Sequence, residues 1–228
     1  MEPVRPVGES TPRGGDSETP KMEEKKMTIA DAIARYTAQG TDTISPAFQS
    51  LVNRMIDSNE QTEFANDSYL DALYLTDVMF GRSKATIRLL TGPGLDQFLT
   101  AIKESFLGAL KRFKIGGGVI NIILLHTELP AWLEQIKTEY ESVLGICLAY
   151  STKPIKHFIV CDSKMARLEE IHPPITPDSL ATEIKARVYF NEPEKATVFE
   201  QRFDAIWGLV EKFEINQRVS AQKVDPAI

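Results

Sequence analysis

Val119-Ile-Asn-Ile-Ile-Leu-Leu125 is the stretch on which the fold turns. An almost unbroken β-branched and aliphatic run of this length is what a strand covered on both faces presents, whereas a half-exposed strand alternates apolar with polar residues. Gly116-Gly-Gly118 stands immediately before it and breaks the preceding helical pattern, Leu95 to Lys114. Further upstream, Ala85-Thr-Ile-Arg-Leu-Leu90 is a short β-type run ended by Thr91-Gly-Pro-Gly94. Downstream, Pro130 to Tyr140 is amphipathic and Val143 to Tyr150 reads as another buried strand. Strands separated by helical crossovers favour parallel pairing.

Beyond Tyr150 the spacing shortens. His157-Phe-Ile-Val-Cys-Asp162 and Met165 to Glu169, joined by Ser163-Lys164, read as a hairpin and so as antiparallel strands. Ile184 to Phe190 is a further strand, Asn191-Glu-Pro193 punctuates, and a closing helix carries Val198, Phe199, Phe203, Ile206, Trp207 and Val210 at helical spacing. Together these elements predict an α/β fold, a mixed β-sheet flanked by helices.

A helical segment, residues 27–82, precedes this domain. Thr28 is placed to cap a helix carrying Ile29, Ala32, Ile33 and Tyr36 on one face and ended by Gly40. Ser45-Pro46 opens a second helix, with Phe48, Leu51, Val52 and Met55 as its stripe, and a third runs from about Asp67 to Phe80. Such a segment is short to be stable alone, so it is expected to dock on the α/β domain or on another chain, with Tyr69, Tyr74, Met79 and Phe80 as anchors. Residues 1–26 are rich in Pro, Gly, Ser, Thr and charge, too poor in apolar side chains to offset ordering entropy, and are expected to be disordered. Residues 216–228 read as a polar tail.

Among 228 residues, 26 Lys and Arg stand against 32 Asp and Glu, a formal net charge of -6. Nucleic acid is therefore not favoured as a partner, because phosphate neutralisation needs a basic surface. No apolar run approaches the roughly 20 residues needed to span a bilayer, and the first residues lack the apolar core of a signal peptide. Two cysteines, Cys147 and Cys161, make no disulfide framework and no zinc spacing, and both fall within apolar strands. The expectation is a cytoplasmic protein that makes no use of the membrane.

The order of elements over residues 83–215 resembles one half of the phospholipase D superfamily. The residues that carry the likeness are Lys156-His-Phe-Ile-Val-Cys-Asp-Ser-Lys164, on a strand ending in Asp and a small turn, and the closing pair Val188-Tyr-Phe-Asn-Glu-Pro193 and Phe203-Asp-Ala-Ile-Trp207. The family's catalytic motif is His, any residue, Lys, four residues, Asp. Anchored on Asp162, it puts Ile155 at the histidine and His157 at the lysine; anchored on His157, it puts Ile159 at the lysine and Lys164 at the Asp. An isoleucine forms no phosphohistidine, and a neutral imidazole does not replace a fixed ammonium against a doubly charged transition state. The resemblance thus implies a catalytically degenerate member, of the kind used for binding or regulation. It also implies self-association, since active members combine two halves into one site.

The densest polar cluster lies between residues 157 and 172: His157, Asp162, Arg167, Glu169, Glu170 and His172. Strand alternation puts Arg167 and Glu169 on one face and Leu168 on the other. Arg167 offers a planar fork suited to phosphate or carboxylate, and the two histidines add donors. His157, Asp162, Arg167, Glu169 and His172 are accordingly the expected ligand-binding residues, in an anion or nucleotide pocket at the sheet edge where the resembled family holds its substrate. The competing reading is an Arg–Glu pair on a solvated hairpin, of little energetic consequence.

Weaker candidates sit elsewhere. Thr91-Gly-Pro-Gly94, between strand and helix, lacks the lysine and hydroxyl of a P-loop and reads as a turn. His126, followed by Thr127-Glu128, has no nucleophile placed by a motif nearby. A metal site from His126, His157 and His172 needs three loops to converge, and nothing in the spacing suggests it; no cofactor or metal is expected.

The leading expectation is a non-enzymatic binding or regulatory protein, acting as a homodimer or within a larger, prokaryotic-type protein complex, with a nucleotide or other anion as possible ligand. One alternative is a phosphodiesterase or nuclease with shifted catalytic residues drawn from His157, Arg167, Glu169 and His172. Another is an adaptor that docks a protein through the aromatic face of the N-terminal helices.

Overall fold

A computed structural model describes residues 26–92, 95–125, 129–151, 153–173 and 175–222. The expected disorder of residues 1–26 therefore lies almost wholly outside the described residues, as do His126, Thr127, Glu128 and the second half of Thr91-Gly-Pro-Gly94.

The first helix, α1 (Ile29–Gln39), starts as the sequence predicts. Thr28 Oγ1 accepts from the Asp31 amide while Asp31 Oδ2 accepts from the Thr28 amide, each at 3.2 Å, so two otherwise unpaired N–H groups are satisfied reciprocally. A short 3-10 turn, Gly40–Thr43, leads to α2 (Pro46–Asp57), capped by Ser45 with proline at the first helical positions. The sequence reading missed the next element. Thr62–Asn66 is a strand, β1, that pairs antiparallel with β7 (Ala186–Phe190) and forms one edge of the sheet. Residues 27–82 are thus not purely helical. After β1, α3 (Tyr69–Arg82) is capped by Ser68.

The α/β domain follows the predicted order: β2 (Thr86–Thr91), α4 (Leu95–Ala101), α5 (Lys103–Gly116), β3 (Val119–Leu125), α6 (Ala131–Lys137), β4 (Leu144–Ala149), β5 (Phe158–Cys161), β6 (Met165–Glu169) and, after β7, α7 (Pro193–Gln222). The helix read as continuous from Leu95 to Lys114 is two helices, and Gly117 stops the second at φ 84°, a conformation open to glycine. The closing helix runs to Gln222, through much of what reads as a polar tail from residue 216.

Sheet order is β1-β7-β6-β5-β2-β3-β4. β2, β3 and β4 are parallel; β5 runs antiparallel to β2, and the pairs β5–β6, β6–β7 and β7–β1 are antiparallel. The mixed sheet is the one the connection lengths imply. The turn between β5 and β6 differs in detail. Its central pair is Asp162-Ser163, at φ 52° and 54°, closed by the Lys164 amide on the Cys161 carbonyl at 3.1 Å. Both central residues at positive φ match the twist of a tight hairpin.

Alternation along the strands makes two cores. Ile87, Leu89, Ile120, Ile122, Leu124, Ile159, Val188 and Phe190 face α1–α6, and Leu90, Ile123, Phe158, Val160 and Tyr189 face α7. The N-terminal helices belong to the first core: Ile29, Tyr36, Tyr69, Tyr74, Met79 and Phe80 are all buried in it. This corrects the adaptor expectation, because Tyr69, Tyr74, Met79 and Phe80 are at most 2% exposed and are spent inside the chain, each contributing roughly 1.5–3 kcal/mol of burial. No helix among the described residues is long and apolar enough to cross a membrane.

Candidate functional site

Antiparallel pairing of β5 with β2 brings His157, the residue before β5, to the end of the sheet where β2 finishes. The approach is close: a Cβ placed on Gly92, just after β2, would lie 2.8 Å from His157 Nε2. Because β6 returns antiparallel to β5, its last residue reaches the same edge, and the Glu169 amide donates to the His157 carbonyl at 2.9 Å. His172 lies three residues further on. Topology alone therefore gathers His157, Glu169 and His172 at the carboxyl-terminal edge of the parallel strands, the position at which open α/β sheets hold ligands.

Arg167 and Glu169 point to the α1–α6 face, as alternation predicts, and Leu168 packs in the second core. Arg167 is only 2% exposed. Its Nε donates to Asn66 Oδ1 at 3.0 Å and its Nη1 donates to Glu169 Oε1 at 2.5 Å. Nη2 is buried with no hydrogen-bond partner among the described residues. A buried guanidinium nitrogen left in this state costs about 1–3 kcal/mol or more, and such an orphan calls for an acceptor.

Glu169 is the hub. Its second oxygen, Oε2, lies 3.2 Å from His157 Nδ1 and 3.4 Å from His172 Nε2. Burial by itself pushes the carboxyl up, but the Arg167 guanidinium and the two imidazoles outweigh it and hold the group well below the usual carboxylate range. His172 Nδ1 donates to the Pro173 carbonyl at 2.8 Å, since a carbonyl only accepts. Its hydrogen bond to Glu169 raises its pKa, against the opposing effect of burial. The two imidazole rings meet edge to face with centroids 5.5 Å apart. Tyr69 is close enough to Glu169 and Arg167 to feel their charges; burial first, then the Glu169 charge, push its phenol up.

Four of the five expected ligand-binding residues thus come together, and Asp162 does not. It sits at the other end of β5, where its carboxylate accepts from the amides of Lys84, Ala85 and Thr86 at 2.7, 2.9 and 2.8 Å. There it ties the hairpin turn to the entry of β2 and borders a cleft of about 310 Å³ that includes Arg82, Lys84 and Lys164. Glu170, also in the polar cluster, points to solvent and pairs with Lys156 at 2.6 Å. Ile155 packs against the second core, among hydrocarbon.

Asn66, Tyr69 and Gly92 belong to the site and were not foreseen. Asn66 lies on the unpredicted β1, and Tyr69 reads from the sequence as an anchor for docking on the α/β domain or on another chain. For Gly92 the available signal was a glycine at a strand end, the usual mark of close approach. The histidines converge contrary to the spacing argument: His157 and His172 meet at Glu169, with all three donor atoms within 4.8 Å of one another.

No protein-family model and no curated protein matches the chain. Among solved structures, the chain is similar to the archaeal chromatin protein TrmBL2, described as showing a novel mode of DNA binding, at 14% identity and a TM-score of 0.48, over 77% of this chain and 65% of that one. It is also similar to NucT from Helicobacter pylori, at 11% identity and TM-score 0.47, over 65% of this chain and 96% of that one. Nuc from Salmonella typhimurium, a phospholipase D family member, is similar at 17% identity and TM-score 0.44, over 65% and 95%. At these identities and TM-scores nothing that those proteins bind or act on is carried over to this chain.

Proposed function

We propose that the chain recognises a small phosphate-bearing ligand at the sheet edge and does not turn it over. On this reading residues 83–215 are a single phospholipase D-like half-domain, and His157, Arg167, Glu169 and His172 make the pocket. The observation that carries the proposal is the buried Nη2 of Arg167, a charged donor without a partner among the described residues. With Nε held by Asn66 and Nη1 by Glu169, the guanidinium plane is fixed, and its spare nitrogen is preorganised for an anionic oxygen. The imidazoles of His157 and His172 stand at the other oxygen of Glu169. Ile155 supports recognition over cleavage, because a side chain packed in hydrocarbon offers phosphorus no nucleophile. The net charge of -6 favours a small ligand over nucleic acid, and the cytoplasm is the proposed compartment.

Calorimetry and thermal melting with inorganic phosphate and nucleoside phosphates test this. A ligand at ~100 times its Kd adds about 2.7 kcal/mol of stability, a plain rise in Tm. The rise should vanish in His157→Ala, which leaves the Arg167–Asn66 bond untouched. Robust hydrolysis of a phosphodiester, abolished by the same substitution, would replace the proposal with an enzymatic one. The half-domain reading also carries self-association: light scattering should give twice the chain mass, and a single-chain mass at micromolar concentration removes the dimer.

A further inference from the structure

The donor set around Glu169 has more than an anion pocket requires. Three atoms, His157 Nδ1, His172 Nε2 and Glu169 Oε2, converge within 4.8 Å, the carboxylate oxygen lying 3.2 and 3.4 Å from the two nitrogens. Bonds of about 2.0–2.1 Å from a tetrahedral ion put its ligands about 3.3–3.4 Å apart. The two separations, 3.2 and 3.4 Å, lie close to that edge length, and the third, between the two nitrogens, is within 4.8 Å.

The supporting shell has the matching form. His172 Nδ1 is committed to the Pro173 carbonyl, which leaves Nε2, now hydrogen-bonded to Glu169, as the ligating atom once an incoming ion displaces its proton to solvent. Arg167 Nη1 occupies Glu169 Oε1, so the carboxylate is oriented with Oε2 alone facing the imidazoles. Gly92, which has no Cβ, leaves the space that the His157 ring occupies beside it, with Nδ1 toward Glu169. Each ligand is thus held from behind by a different element: the segment after β6, β6 itself, and the end of β2.

We propose that His157, Glu169 and His172 bind one divalent transition ion of the zinc or cobalt class, with the fourth position open to the phosphate oxygen of the ligand. Two imidazoles and one carboxylate suit borderline ions and not magnesium or calcium, which take oxygen donors. The charges agree. The ion contributes two positive charges and Arg167 one, Glu169 removes one, and the remaining two call for an anion at the open position. Arg167 Nη2, unpartnered among the described residues, serves the same anion. The role of the fourth position rests on the ligand-binding reading above; the metal site itself does not.

Titrating cobalt(II) into the chelator-treated full chain decides the matter. A single equivalent should produce the intense visible bands of a tetrahedral site, and zinc should displace it stoichiometrically. His172→Ala, at a position whose side chain is only 10% exposed, should lower cobalt affinity at least ~100-fold, more than the ~10–100-fold loss typical of a supporting residue. Glu169→Gln, nearly isosteric, should lower it as well, whereas Glu170→Gln should leave it unchanged, with circular dichroism confirming that each variant is folded. Absence of one-to-one binding at micromolar cobalt, or binding unchanged in His172→Ala, overturns the metal site. Phosphate binding to the metal-free chain in that case leaves the recognition reading standing. Cobalt binding with no effect of phosphate on its spectrum overturns the open-position claim while the metal site survives, and absence of calorimetric phosphate binding as well overturns the recognition reading.

Discussion

Gly92 and His157 are in contact across the end of the sheet, so closely that a methyl group at position 92 would stand 2.8 Å from Nε2 and 3.0 Å from Cε1 of the imidazole. The nearest backbone atom, the Leu125 carbonyl oxygen, would be a comfortable 3.6 Å away. The side chain, not the scaffold, has to give way. Gly92→Ala should therefore rotate the ring off Glu169 at a stability loss of about 0.5–1.5 kcal/mol, the cost of an off-rotamer adjustment. Calorimetric phosphate binding should weaken at least tenfold while Tm moves by only a few degrees.

Asp162 should behave in the opposite way. Its carboxylate closes the β5–β6 turn onto three successive amides at the entry to β2, and a hydrogen bond to a charged group contributes about 1.5–3 kcal/mol net of the exchange with water. Asn tolerates the positive φ of that position. Asp162→Asn should thus lower unfolding free energy by about 2–3 kcal/mol, read from the urea midpoint, with ligand affinity unchanged. Weakened affinity at unchanged stability would put Asp162 back in the pocket.

These two predictions divide what was legible in the sequence from what was not. The sheet was legible because Val119 to Leu125 and Val143 to Tyr150 have the composition of strands buried on both faces, and connection length separated parallel from antiparallel pairing. The pocket was partly legible: Arg167 and Glu169 share a face by strand alternation, and His157 stands beside them through the hairpin. Asp162 was misjudged because closeness in sequence along a strand is distance in space, and five residues carry it to the far end of β5. β1 was missed because Thr62–Asn66 is a short edge strand with one large apolar side chain, Phe64, and its identity as a strand comes from pairing with residues over a hundred positions away. No local pattern holds that information, and so Asn66 could not be connected with Arg167.

The Arg167–Glu169 pair should show strong coupling. Removing one partner of a buried pair leaves an uncompensated charge and costs about 3–5 kcal/mol. Arg167→Met should destabilise by that order. The double variant Arg167→Met, Glu169→Gln should recover much of the loss, because no unpaired charge remains. A double-mutant cycle on urea unfolding measures this; additive losses would mean that the two side chains act independently.

Cys161 is fully buried, and burial, against a smaller opposing bond from Ser83, pushes its thiol up to about 12. In the unfolded chain the thiol returns to about 8.5. The folded state then holds a proton that the unfolded state releases, so the contribution to stability is whole below about pH 8.5 and declines as pH rises toward the folded value. Native protein at pH 8 should react with thiol reagents at Cys161 only at the rate of opening, and denaturant should make it fully reactive. Urea midpoints between pH 8 and 10 should fall, with the decline reduced in Cys161→Ala.

Asn66 holds Arg167 Nε from a strand that precedes the α/β domain, and the amides of Ile29 and Tyr69 bond to the Ser179 and Ala181 carbonyls in the segment that follows His172. A cut at residue 83, where composition invites one, would strip β7 of its neighbour, bare a row of unpaired strand amides to self-pairing, and leave the guanidinium without its anchor. The smallest excisable unit that keeps the pocket therefore begins near Met27, and any shorter fragment should be judged by its tendency to aggregate before it is judged by what it fails to bind.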